Sequence, residues 1–88
     1  MSLKKVHEDQ PKEFKFSSEN LKKAEEILKR YPKTSQKSAV MPFLYLAQRQ
    51  NDNWIPLAAM KYIANFLSMP YISVYEVATF YTMYNLAP

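Results

Sequence analysis

Residues 75–85 read YEVATFYTMYN: three tyrosines, a phenylalanine, a valine and a methionine against one charge, Glu76. Ser73 and Glu76 have the S-x-x-E spacing of a capping box, which predicts a helix opening at Val74. On that helix Glu76, Thr79 and Thr82 form a narrow polar strip. Val74, Tyr75, Val77, Ala78, Phe80, Tyr81, Met83 and Tyr84 cover the rest. A surface helix buries one stripe about 100° wide, whereas a helix apolar nearly all round is covered on most sides. Two readings follow. The segment is the central helix of a small core, its tyrosine hydroxyls reaching water, or one of its faces docks onto something outside the chain.

Upstream, three more helices are predicted. In FSSENLKKAEEILKRYP (residues 16–32), Ser17 suits an N-cap, with Phe16 and Leu21 at hydrophobic-staple spacing. Leu21, Ala24, Leu28 and Tyr31 recur at helical intervals with Ile27 beside them, and Pro32 stops the helix by pushing Tyr31 out of helical backbone. Glu19–Lys23, Glu25–Lys29 and Glu26–Arg30 are i,i+4 pairs in the favourable order. Ser38 is the expected cap of a second helix running to about Gln50, with Pro42 as its fourth residue. Val40, Phe43, Leu44 and Ala47 form its inner stripe, widened by Met41 and Tyr45. Residues 51–53, NDN, are a turn in which asparagine adopts left-handed backbone. Pro56 opens a third helix with Met60, Ile63, Ala64 and Leu67 inward, and Pro70 ends that segment. Trp54 reads as a structural plug over the second and third helices. The fold class is therefore all-α, a small bundle of about four short helices over residues 16–88. Residues 1–15, polar and holding Pro11, are expected to be a mobile arm.

The totals narrow the chemistry. Eighty-eight residues make one domain, and such a chain buries only about 60–65% of its unfolded surface. With 48% hydrophobic and 15% aromatic residues it belongs among globular proteins. There is no cysteine, hence no disulfide, thiolate metal site or thiol nucleophile, and no glycine, hence no phosphate-cradling loop. The single histidine, His7, lies in the polar N-terminal stretch, without a fixed partner for acid–base work. Catalytic, metal and cofactor-binding residues are accordingly expected to be none. No apolar run is long enough to span a membrane and MSLKKVHEDQ does not have the form of a signal peptide, so a cytoplasmic setting is the default expectation. All the excess charge sits in front: residues 1–37 carry ten Lys/Arg and six Asp/Glu, residues 38–88 two of each. Lys22, Lys23, Lys29, Arg30, Lys33 and Lys37 read mostly as the solvated face of the first helix.

Taken together, YEVATFYTMYN, FSSENLKKAEEILKRYP, SAVMPFLYLAQRQ and NWIPLAAMKYIANFL resemble the N-terminal helical region of the iron–sulfur E subunit of NADH:quinone oxidoreductase, respiratory complex I. The same region occurs in related NAD-linked hydrogenases and formate dehydrogenases. The likeness covers about residues 14–88, and its most specific part is EVATFYTMYN. It implies a thioredoxin-like domain following the helices, whose cysteines hold a 2Fe–2S cluster, and pairing with the flavin- and NADH-binding subunit, which carries FMN. The sequence ends at NLAP, so any cluster ligand is expected beyond Pro88. Asn53 stands where the family commonly has glycine. The resemblance makes the chain a helical docking module of an electron-transfer subunit, peripheral to the inner membrane within its complex. Tyr75, Glu76, Thr79, Phe80, Thr82, Met83 and Tyr84 are then the candidate contacts with the partner subunit and the cluster domain.

Two other classes compete. A free-standing helical adaptor would have the same sequence features. A helix-turn-helix DNA-binding module would explain the spacing of Ala64, Ser68 and Val74, but residues 74–84 contain no Arg, Lys, Asn or Gln to read base edges, and Glu76 repels phosphate. Neither nucleic-acid binding nor membrane insertion is expected, and the exposed aromatics leave self-association of the isolated module open.

Overall fold

A computed structural model describes residues 7–31, 38–81 and 83–88. Among these, four helices and no strand are present: α1 Ser18–Arg30, α2 Val40–Gln50, α3 Leu57–Phe66 and α4 Tyr71–Phe80. The all-α bundle read from the sequence is the observed fold.

Each helix end has a local cause. Ser17 caps α1, its hydroxyl accepting the Asn20 N–H at 3.2 Å. Tyr31 turns extended (φ −113°, ψ 127°), as a residue before proline should. Glu19 and Lys23 close at 3.6 Å on the exposed face. The end of α2 is a Schellman turn: Asp52 and Asn53 take left-handed backbone, φ 52° and 66°, and the Asn53 N–H reaches the Gln48 carbonyl at 2.8 Å. The same device ends α3. Ser68 sits at φ 53°, donating to the Asn65 carbonyl at 3.2 Å, and Met69 donates to the Ala64 carbonyl at 2.9 Å.

Three starts differ from the sequence reading. Ser38 does not cap α2; Ser38 and Ala39 form a 3₁₀ turn, Ala39 is the N-cap without a side-chain bond, and Pro42 becomes the third helical residue. The Ser73/Glu76 capping box is not formed. Pro70, at φ −63° and ψ 141°, already sets the helix entry, so α4 starts at Tyr71, with the Ser73 N–H on the Pro70 carbonyl at 3.1 Å. Pro56 takes the same N-cap position before α3 rather than sitting in its first turn.

The core is one cluster. Ala24 of α1, the α2 stripe Val40, Phe43, Leu44 and Ala47, and Ala59, Met60, Ile63, Ala64 and Leu67 from α3 and its end meet Val74 and Ala78 of α4. Phe16, just before α1, stands at its aromatic centre. Its ring meets Tyr62 at 5.2 Å, Phe14 and Phe43 at 5.8 Å and Phe66 at 6.3 Å, all edge-on. Such pairs add about 0.5–1.5 kcal/mol each beyond the area they bury. Ala64 and Val74 are both buried where α3 packs on α4, which accounts for their spacing as helix packing.

From His7 onward the stretch expected to be an arm is laid along the bundle. Gln10 accepts the Leu57 N–H at 2.9 Å, satisfying a free donor at the start of α3. Phe14 packs against the core, and the Lys15 carbonyl accepts from Gln50 Nε2 at 2.7 Å. Trp54, half-buried, meets His7 edge-on at 5.1 Å and ties the turn after α2 to this segment. Lys33 and Lys37 lie outside the described residues.

Candidate partner interface

The aromatic stretch 75–85 splits in two. Its first part is helical to Phe80. Tyr81 then turns extended (φ −90°, ψ 127°), and the chain after it folds back over α2. The six candidate contacts among the described residues therefore do not share one helical face.

On α4, Val74 and Ala78 point inward, with Tyr71, Tyr75 and Val77 half-buried at the flanks. Ile72, Glu76 and Phe80, four residues apart, form the outward stripe; Ile72 is 56% exposed and Phe80 64%. Past the end of the helix, Tyr81 and Met83 are exposed too, at 38% and 48%. Thr79 is half-buried, and its hydroxyl donates back into its own helix, to the carbonyls of Tyr75 at 2.9 Å and Glu76 at 3.1 Å. Tyr84 faces the interior: it is 2% exposed and its hydroxyl donates to the Met41 carbonyl at 3.1 Å. Thr82 lies outside the described residues. Of the candidates, Glu76, Phe80 and Met83 are thus exposed, Tyr75 and Thr79 are half-buried, and Tyr84 packs within the module.

The reason Tyr84 turns inward is a polar clamp with no local signature. Gln48, on the inner side of α2 and itself buried, donates from Nε2 to the Met83 carbonyl at 3.1 Å and accepts the Asn85 N–H at 2.6 Å. Asn85 in turn accepts the Ile55 N–H at 2.7 Å and donates its side-chain amide to the Asn53 carbonyl at 2.9 Å. The Leu86 carbonyl accepts the His7 N–H at 3.1 Å, and the Leu86 side chain is buried. A tail without helix or strand thus has its backbone groups satisfied by side chains and loops, as burial requires. Sequence reading assigned Gln48 no role and omitted Asn85 from the site. The one available signal was that Gln48 lies four residues after Leu44, on the apolar stripe of α2. Ile72 was missed because the helix was begun too late.

Electrostatically the surface is quiet. Burial raises the Tyr84 phenol above its usual range, with Tyr81 adding to the shift. Burial likewise raises Tyr71, aided by Tyr75, whose ring lies 6.0 Å away. Glu76 is the only formal charge between Ile72 and Met83. Among the described residues no cluster of side chains could hold a metal ion. What this surface offers is apolar contact area with aromatic edges, a composition suited to a protein interface.

The family of thioredoxin-like [2Fe-2S] ferredoxins matches residues 24–88. Among curated relatives, the E subunit of NADH-quinone oxidoreductase from Rickettsia bellii is 56% identical over 75 residues, 85% of this chain and 45% of the relative. Its namesake from Rickettsia conorii is 59% identical over 73 residues, 83% of this chain and 44% of the relative. The NADH-quinone oxidoreductase E subunit numbered 1 in Rhizobium meliloti is 48% identical over 90 residues, covering 100% of this chain and 32% of the relative. The chain spans less than half the length of these relatives. A 2Fe–2S cluster is held by cysteine thiolates or, in part, histidines, and these 88 residues contain no cysteine and one histidine. The residues present do not fit a cluster. By its match over residues 24–88, the chain belongs to the thioredoxin-like [2Fe-2S] ferredoxin family.

Proposed function

We propose that this chain is the helical docking module of an electron-transfer subunit of an NADH:quinone oxidoreductase. It packs against the flavin- and NADH-binding subunit, and against a thioredoxin-like domain that carries the 2Fe–2S cluster. FMN and NADH belong to the partner in this reading, and the module's own task is to hold and orient. The complex is cytoplasmic and peripheral to the inner membrane; no helix among the described residues is long and apolar enough to cross one.

The observation that carries the reading is the outward stripe of α4. Ile72 and Phe80 on that stripe, and Met83 after the helix, remain exposed in a fold with a modest core. Exposed aromatic and methionine side chains beside a firmly held backbone are what interface anchors look like. Glu76 at the middle of the stripe supplies a single charge for register.

The test is to mix the full chain with its cognate flavin subunit and measure complex mass by size-exclusion light scattering. A one-to-one complex that Phe80→Ser abolishes supports docking through α4. A folded, monomeric chain that stays apart from the flavin subunit removes that partner from the proposal.

A further inference from the structure

A second surface, apart from the outward stripe of α4, lies where residues 12–15 cross α3. A cleft of about 290 Å³ opens there, with Phe14 and Tyr62 among its walls and Lys12, Lys15 and Lys61 around it. Glu13 is the one carboxylate on its lining, against three ammonium groups. None of these lysines has an ion-pair partner among the described residues, where Glu19–Lys23 is the only pair. Glu13 offsets only part of this positive charge, and an anion bound in the cleft would be attracted to the remainder.

The backbone beside the cleft is open as well. The segment is pinned at both ends, by Gln10 on the Leu57 N–H at 2.9 Å and by Gln50 on the Lys15 carbonyl at 2.7 Å. Between the pins, the backbone groups of Lys12, Glu13 and Phe14 have no hydrogen-bond partner among the described residues. A held, non-helical stretch with unpaired N–H and C=O groups leaves those donors and acceptors to water or to another chain.

We propose that this cleft takes an extended acidic peptide segment of a partner protein. The incoming backbone pairs with residues 12–14. Its carboxylates meet Lys12, Lys15 and Lys61, and an apolar side chain between them rests on Phe14 and Tyr62. Alternating acidic and apolar residues fit both the charge and the floor, and Glu13 on the rim disfavours a peptide whose acidic residues fall opposite it.

Titrating the full chain with an acetylated peptide of alternating glutamate and valine tests this, with calorimetry for affinity and amide exchange for location. Saturable one-to-one binding is expected, weakening as salt is raised, with added protection at residues 12–14. K12E/K15E/K61E should weaken it by about tenfold or more, while K22E/K23E/K29E on α1 leaves it within about twofold. Circular dichroism confirms that both variants are folded. The proposal is overturned if the peptide does not saturate, if residues 12–14 gain no protection, or if the α1 variant loses as much affinity. Tighter binding of a single-stranded oligonucleotide, or equal binding of an alternating lysine–valine peptide, overturns it too.

Discussion

Gln48 and Asn85, thirty-seven positions apart in sequence, are joined by a 2.6 Å hydrogen bond from the Asn85 N–H to the Gln48 side-chain oxygen. The same amide holds the Met83 carbonyl through its nitrogen, so one side chain grips the tail on both sides of Tyr84. Gln48→Leu keeps the volume and removes both partners, leaving two backbone groups unpaired at a half-buried site. The expected cost is about 2–3 kcal/mol, or a fall of roughly 10 °C or more in Tm for a chain this size. Denaturant unfolding measures the first, and amide exchange should show residues 83–86 losing protection before α2 does. Unchanged exchange there would mean that the clamp does not hold the tail.

Tyr84→Phe removes the hydroxyl that donates to the Met41 carbonyl while keeping the buried ring. About 1 kcal/mol of stability should be lost at neutral pH. The phenol's pKa is raised in the fold, so the folded chain holds this proton to higher pH than the unfolded chain does. Its contribution is complete below about pH 10 and declines as pH rises through the folded-state value. The Tm gap between wild type and Tyr84→Phe should therefore be constant up to about pH 10 and narrow above it. A gap that widens there would contradict the burial of the hydroxyl.

Ser68 occupies a left-handed position that glycine adopts without steric cost, in a chain that contains no glycine. Ser68→Gly should stabilise the fold by about 0.5–1 kcal/mol, and Asn53→Gly by less, because asparagine tolerates this backbone better than serine. Thermal unfolding of the two variants tests the order.

Phe80 is exposed at the end of the outward stripe, so Phe80→Ser should leave stability within about 0.5 kcal/mol of wild type. If Phe80 anchors the flavin subunit, the same change should weaken that complex by about 2 kcal/mol or more, some thirtyfold. Calorimetry with the two proteins decides; a loss of fold stability instead would make Phe80 a core residue.

What could be read from the sequence was what local chemistry decides. The Ser17 cap, the stop at Tyr31, the inner stripes of α2 and α3 and the left-handed Asn53 all follow from side chains acting on their own or adjacent turns. The errors cluster where two local signals compete or where a distant residue decides. Ser73 and Glu76 have the spacing of a capping box, but Pro70 fixes the entry angle three residues earlier, so the box falls inside the first turn. Pro70 looked like the end of α3; the Schellman turn at Ser68 had already ended that helix, which left proline to begin the next. Apolar patterning would carry α4 on to Tyr84. It stops at Phe80 because Gln48, Asn53, Ile55 and Met41 offer the tail bonds that a helix continuing outward would forgo. Such long-range partners override propensity and leave no period in the sequence. Of the candidate interface, Phe80 and Met83 were legible as surplus apolar residues, whereas the inward turn of Tyr84 was not.

The bond from the His7 N–H to the Leu86 carbonyl brings the first described residues against the last. The described part of the fold can therefore be treated as a ring with its seam at this point, and the seam can be moved. Joining the His7 end to the Leu86 end by a short flexible linker and cutting at the Asp52–Asn53 turn would give a circular permutant that keeps the four helical segments and gives up the Asn53 N–H bond closing α2. In such a ring His7 and Leu86 become near neighbours in sequence. Their contact would then close over a short loop instead of across almost the whole described chain, at a smaller entropic cost.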